Sequence, residues 1–96
     1  MNPILEGFEP SLNRILDNDY WKTIYEAAPN GARAYMELQF TASDKPSAEE
    51  KRNIKSTYES KVVPMMDKES WEYLAENYAG CEQQADWFRQ QVKEEN

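Results

Sequence analysis

Histidine is absent from this sequence of 96 residues. The absence removes the commonest general base and the only side chain whose unperturbed pKa lies near neutrality. It excludes catalytic arrangements of the Ser-His-Asp or Cys-His type, and it excludes zinc and iron sites that depend on imidazole. The sequence therefore predicts that the protein is not an enzyme and binds no metal. A small enzyme that relies on carboxylates or tyrosine alone is the remaining catalytic alternative.

Cysteine and glycine are also scarce. Cys81 is the only cysteine, so it cannot form an intramolecular disulfide, and no thiol cluster exists to hold zinc. A single unpaired thiol is typical of a reducing compartment, which predicts a cytoplasmic location. Gly7, Gly31 and Gly80 lie far apart, which excludes the glycine-rich phosphate-binding loops of nucleotide-binding proteins. The sequence predicts no cofactor.

Long apolar runs are absent as well. Residues 1–6 lack the basic start and apolar stretch of a secretory signal, and no segment approaches the roughly 20 apolar residues of a membrane span. Disordered chains are poor in aromatic residues, whereas 12% of this chain is aromatic. The length matches one folding unit. The sequence therefore predicts one soluble, folded domain over residues 1–96, without contact to a membrane.

Positive charge is in deficit, with 18 acidic residues against 11 basic ones and a net charge of −7. A body this negative repels phosphate backbones unless its basic residues cluster tightly. The densest basic group, formed by Lys51, Arg52 and Lys55, adjoins Glu49 and Glu50. Direct binding of nucleic acid is therefore not expected.

The residues that are present follow helical spacing in most of the chain. The clearest stripes, spaced i, i+3, i+4 and i+7, are Trp21, Ile24, Tyr25 and Ala28, and later Trp71, Leu74, Ala75 and Tyr78. Shorter or narrower stripes are Leu12, Ile15 and Leu16; Ile54, Tyr58 and Val62; and Ala85, Phe88 and Val92. Short connections between such segments predict an all-α fold, a compact antiparallel bundle of four to five short helices.

Residues that start and stop helices separate these segments. The predicted amino-terminal caps are Ser11, Asp19, Ser47 and Asp67. Glu50 follows Ser47 by three residues, which matches the capping box. Pro29-Asn30-Gly31 predicts a break, and Pro64 predicts the end of the helix that starts at Ser47.

One segment, residues 32–42, fits two structures. Its apolar residues recur every four positions, at Ala32, Met36 and Phe40, which favours a helix. From Met36 onward they also alternate with polar residues, which favours a half-buried strand. We favour the helix, because a lone strand would leave its backbone groups unpaired. A strand supplied by a second copy of the chain would escape that objection.

Surface side chains are the remaining candidates for function. Glu69, Glu72 and Glu76 share one face of a predicted helix. From residue 67 onward, eight acidic and three basic residues contribute −5 of the net charge of −7. Exposed aromatic residues are enriched at recognition hot spots. The aromatic residues that lie off the stripes, and are predicted to be exposed, are Tyr20, Tyr73 and Trp87.

These features predict a small acidic adaptor or regulatory module that binds a protein partner through Tyr73, Trp87, Glu69, Glu72 and Glu76. Self-association is a second form of this hypothesis, because the narrow stripe that ends at residue 62 leaves apolar surface for another copy. The alternative is an acidic mimic of nucleic acid that blocks a protein acting on DNA or RNA. A third interpretation assigns the carboxylates to solubility alone. In length and composition the chain resembles short acidic helical proteins of bacterial and phage genomes, including mobile elements.

Overall fold

A computed structural model describes residues 2–41 and 45–77 of the chain. These ranges contain five α-helices and no strand. The helices are α1 (Glu9–Leu16), α2 (Asp19–Ala27), α3 (Asn30–Gln39), α4 (Ala48–Thr57) and α5 (Lys68–Asn77). The predicted all-α bundle of four to five short helices is confirmed. The further helix predicted around Phe88 lies outside the described residues.

Helix α3 lies at the centre of the bundle and contacts α1, α2, α5 and the turns that follow α4. Seven of its ten residues are buried: Gly31, Ala32, Ala34, Tyr35, Met36, Glu37 and Leu38. The helix confirms the preferred interpretation of this segment up to residue 39. A helix satisfies its own backbone hydrogen bonds, so it can be surrounded by other elements without an unpaired edge. No helix within the described ranges is long and apolar enough to cross a bilayer.

The first two helices both begin earlier than the sequence predicts. Helix α1 starts at Glu9, and Pro10 occupies its first turn, where a missing N–H removes no helical bond. Ser11 is buried inside the helix and caps nothing, so that prediction is wrong. Helix α2 is capped by Asn18 and not by Asp19, because the Asn18 side chain accepts two backbone N–H groups of the first turn at 3.0 and 3.2 Å.

The predicted caps of α4 and α5 are confirmed. Ser47 Oγ accepts the backbone N–H of Glu50 at 3.1 Å. Asp67 Oδ1 accepts the backbone N–H of Ser70 at 2.8 Å. This second bond favours the ionised carboxylate and holds the pKa of Asp67 below its ordinary value.

The predicted break at Pro29-Asn30-Gly31 is shorter than expected. Pro29 precedes α3, whereas Asn30 and Gly31 form its first turn. A Cβ atom at Gly31 would lie 2.6 Å from the carbonyl oxygen of Met65 and 2.7 Å from Ser70 Oγ. Glycine at this position therefore allows the start of α3 to pack directly against the start of α5.

The sequence predicts one continuous α-helix from Ser47 to Pro64, but α4 ends at Thr57 and the segment after it has a different structure. It becomes a π-helical turn over Tyr58–Val62 and a 3-10 turn over Val63–Met65. Proline has no N–H and its ring crowds the carbonyl group four residues earlier, which disturbs the regular helix ahead of it. The N–H of Val63 accordingly bonds to the carbonyl of Tyr58, five residues back.

The core consists mainly of the side chains on the predicted stripes. Tyr25 and Trp71 are buried, as predicted, whereas Trp21 is half-buried against the core. Leu5 is also buried, although it precedes every helix. The amino-terminal strap, defined here as residues 4–8, therefore folds back over the bundle.

Candidate functional site

The outer face of α5 carries three of the predicted contact residues. Glu69, Glu72 and Glu76 are all exposed, and Trp71 on the opposite face is buried. Lys68 Nζ lies 3.9 Å from a Glu72 carboxylate oxygen, and both side chains are about half exposed. Exposed pairs of this kind contribute little to stability. The structure thus brings the three carboxylates together in water, where they contribute to the negative potential of the surface.

The predicted exposure of Tyr73 is wrong. Its ring is half-buried against the core, and its hydroxyl donates to the carbonyl oxygen of Ile24 at 2.5 Å, which joins α5 to the end of α2. Burial raises the pKa of Tyr73. Tyr20, in contrast, is 59% exposed, as predicted. Trp87, the other predicted aromatic contact, lies outside the described residues.

A groove of about 330 Å³, called the α4 groove below, runs along one side of α4. Its apolar lining comes from Phe8 of the strap, Leu38 of α3 and Ile54 of α4. Its polar lining comes from Thr41, Ser47, Glu49, Glu50, Asn53 and Thr57. A second recess of about 230 Å³, which includes Arg14, shares Phe8 and Thr41 with it. The sequence did not predict the α4 groove, although it identified the stripe that contains Ile54.

The composition of α4 explains why the groove exists. Apart from Ala48, Ile54 is the only apolar residue in this helix, and none of its residues is buried. With one large apolar side chain, α4 cannot pack closely along its length, since burial of apolar area is what draws helices together. The basic residues Lys51, Arg52 and Lys55 are exposed and do not line the groove.

Glu37 is the residue that the sequence analysis missed. It lies in the middle of α3 with 0% of its surface exposed. Its carboxylate accepts the backbone N–H groups of Ile4 and Leu5 at 2.8 and 2.9 Å. It also accepts the hydroxyl of Tyr25 at 2.5 Å. Burial, together with the neighbouring carboxylate, raises the pKa of Tyr25 above its ordinary value.

Arg33 extends this buried network to the surface. Its guanidinium carbon lies 5.5 Å from the centre of the Tyr25 ring. It donates to the carbonyl oxygens of Tyr25 at 3.1 Å and Glu26 at 2.7 Å, at the end of α2. The network therefore joins the strap, α3 and α2. Glu37 and Tyr25 are both buried, and together with Arg33 they connect these three parts of the fold.

Metal binding is a further role that acidic side chains can have. Residues 2–41 and 45–77 contain no group of three or more Asp, Glu or Cys side chains arranged to hold a metal ion. Comparisons of the chain with protein-family models, with curated proteins and with solved structures found no match. The α4 groove and the acidic face of α5 are therefore the candidate functional surfaces of the described residues.

Proposed function

We propose that the protein is a non-catalytic binding module that docks on a protein partner through the α4 groove, assisted by the acidic face of α5. The observation that carries this proposal is the groove itself, an open recess in which Phe8, Leu38 and Ile54 present apolar surface inside a polar rim. Recesses with an apolar lining and a few polar groups at the edge are the usual form of binding sites.

The polar groups of the groove support binding rather than catalysis. The hydroxyl of Ser47 accepts the N–H of Glu50 at the start of α4. The hydroxyl of Thr41 donates to the carbonyl oxygen of Leu38 at 2.6 Å. Both hydroxyls are thus used by helix ends, and within the described residues neither is hydrogen-bonded to a general base that would activate it as a nucleophile.

The negative charge of the protein supports a second role for α5, which is to attract a basic partner. A protein with a net charge of −7 attracts basic partners over a distance, and the three exposed carboxylates of α5 add to this attraction. Such charges raise the rate of association more than the final affinity, and salt screens them. In this proposal, the α4 groove supplies short-range contact, and Glu69, Glu72 and Glu76 supply steering.

The test is affinity capture from extracts of the native host with three variants of the full chain. Ile54→Asp places a charge on the apolar lining and should abolish capture of the partner. Val63→Asp is its matched control, because Val63 is 43% exposed and does not line the groove. Replacement of all three α5 glutamates by glutamine should weaken capture at low salt and have little effect at moderate salt. Circular dichroism melting must show that each variant remains folded.

The same experiment also distinguishes a module that binds through the groove from an acidic mimic of nucleic acid. Loss of capture in the triple glutamine variant, with full capture by Ile54→Asp at every salt concentration, would favour the acidic mimic of nucleic acid over the groove. Equal capture by all three variants would contradict both ideas. A partner that depends on Ile54 but not on Val63 would support the proposed module.

A further inference from the structure

The backbone of the described residues restricts what can enter the α4 groove. These residues form helices and turns without a strand, so they present no sheet edge on which an extended peptide could add another strand. An extended segment lying across Phe8, Leu38 and Ile54 would leave its own N–H and C=O groups unpaired against apolar surface, which is costly. A helix satisfies these groups internally and presents only side chains to the groove.

The dimensions of the groove fit a short helix. Its wall on α4 extends from Glu49 to Thr57, which corresponds to about 12 Å at about 1.5 Å per residue, or roughly two turns of a partner helix. The volume of about 330 Å³ is roughly twice that of the cavity of about 150 Å³ that accommodates benzene. The groove thus has room for about two large apolar side chains, which a helix supplies at positions i and i+4.

The charges around the groove select the rest of the occupant. Glu49 and Glu50 line it, and no lysine or arginine within residues 2–41 and 45–77 does. Basic side chains that flank the apolar anchors therefore meet complementary charge, whereas acidic ones meet repulsion. A second copy of this chain would bring its own net charge of −7 to the contact, which disfavours self-association at this site.

From these three observations we propose that the α4 groove binds a basic amphipathic helix of a partner protein, with two apolar anchors on Phe8, Leu38 and Ile54. This inference rests on the proposed function and names the chemical class of the partner. Lysine or arginine residues on either side of the anchors face Glu49 and Glu50 on the rim.

The probes are three synthetic peptides of about 14 residues, a length that gives a helix of about 21 Å. The first carries two leucines at helical spacing i and i+4 among lysines and alanines. The second replaces every lysine by glutamate. The third keeps the composition of the first but scatters the leucines around the helix. Each is titrated into the isotope-labelled full-length protein and followed by NMR.

We expect the first peptide to bind at least tenfold more tightly than the other two and to shift the signals of Phe8, Leu38 and Ile54. Ile54→Ala should weaken this binding at least fivefold. Val63→Ala, the matched control outside the groove, should leave the affinity unchanged. Glu49→Lys should weaken binding, whereas Glu59→Lys, which reverses an exposed charge outside the groove, should have less effect.

Other outcomes would overturn the inference in distinguishable ways. Equal binding of the scattered peptide, or shifts confined to Glu69, Glu72 and Glu76, would show that charge alone drives association. An Ile54-dependent dimer in sedimentation would assign the groove to a second copy. In the free monomer, nuclear Overhauser contacts between residues 78–96 and Ile54 would assign the groove to the chain itself. If the first peptide binds as expected but no host protein depends on Ile54, the proposed function fails.

Discussion

Replacement of Glu37 by glutamine tests how the strap is held on the bundle. The carboxylate is fully buried and accepts three hydrogen bonds, two from backbone N–H groups of the strap and one from Tyr25. Glutamine has nearly the same shape, so Glu37→Gln leaves the packing of α3 unchanged. It replaces one acceptor oxygen by an NH₂ donor and removes the charge.

The size of the effect follows from the geometry. If the amide oxygen of glutamine occupies the position of Oε2, it keeps the bonds from Ile4 and Tyr25, and its NH₂ group then faces the N–H of Leu5. The buried Leu5 N–H loses its acceptor and faces the new NH₂ donor, and the other two bonds lose their charge assistance. Removing the cost of burying a charge offsets part of this loss. We expect the free energy of unfolding to fall by about 2–3 kcal/mol. For a domain of this size, the melting temperature should fall by about 8–24 °C.

Thermal melting and amide hydrogen exchange together test this reasoning. In the wild type, the amides of Ile4 and Leu5 should exchange slowly although they lie outside any helix, and in Glu37→Gln the Leu5 amide should exchange much faster. Glu26→Gln, an exposed carboxylate on α2, is the control and should change stability by less than about 0.5 kcal/mol. Wild-type exchange of Ile4 and Leu5 at the rate of an unstructured peptide would refute the argument.

Three further predictions concern Gly31 and Asn18 at the starts of two helices and the half-buried ring of Tyr58. Gly31→Ala should destabilise the protein by about 1–3 kcal/mol in denaturant titration, because its Cβ would meet the backbone oxygen of Met65; an unchanged midpoint would contradict the close packing. Asn18→Ala should cost about 1 kcal/mol, and Asn18→Asp much less, because aspartate also caps; equal losses would argue against the cap. Burial raises the pKa of Tyr58 to about 12 from 10.0, so the folded state keeps a proton that the unfolded state loses. Stability should therefore fall as the pH rises through this range, and Tyr58→Phe should make the fall shallower in pH-dependent melting.

The helical architecture was predictable because each stripe depends only on the spacing within its own segment. Tyr25 and Trp71 lie on such stripes and are buried. Trp21 also lies on its stripe but remains half-buried. Local spacing thus identifies the face that packs, without showing how completely each side chain is covered.

Glu37 was not predictable by the same reasoning, since its partners Ile4 and Leu5 lie 33 and 32 residues away in the sequence. One signal was present in the sequence. Helix α3 has apolar residues on almost every side, which is typical of a buried helix. A carboxylate inside such a helix is expected to accept hydrogen bonds from other parts of the chain. Tyr73 lies off the stripe of its own helix, but the end of α2 approaches that side. Only the positions of other elements show this contact.

The α4 groove and the buried carboxylate are connected through Phe8. This residue lines the groove, and its N–H donates to the carbonyl oxygen of Leu5, which the Glu37 network holds in place. An apolar residue at position 37 would avoid burying a charge, but it would leave two N–H groups of the strap without acceptors. We expect the strap to be held less firmly, with Phe8 less fixed in the groove, which the signals of residues 4–8 in NMR spectra would show. The carboxylate of Glu37 therefore helps to position Phe8 in the α4 groove, although Glu37 itself does not line the groove.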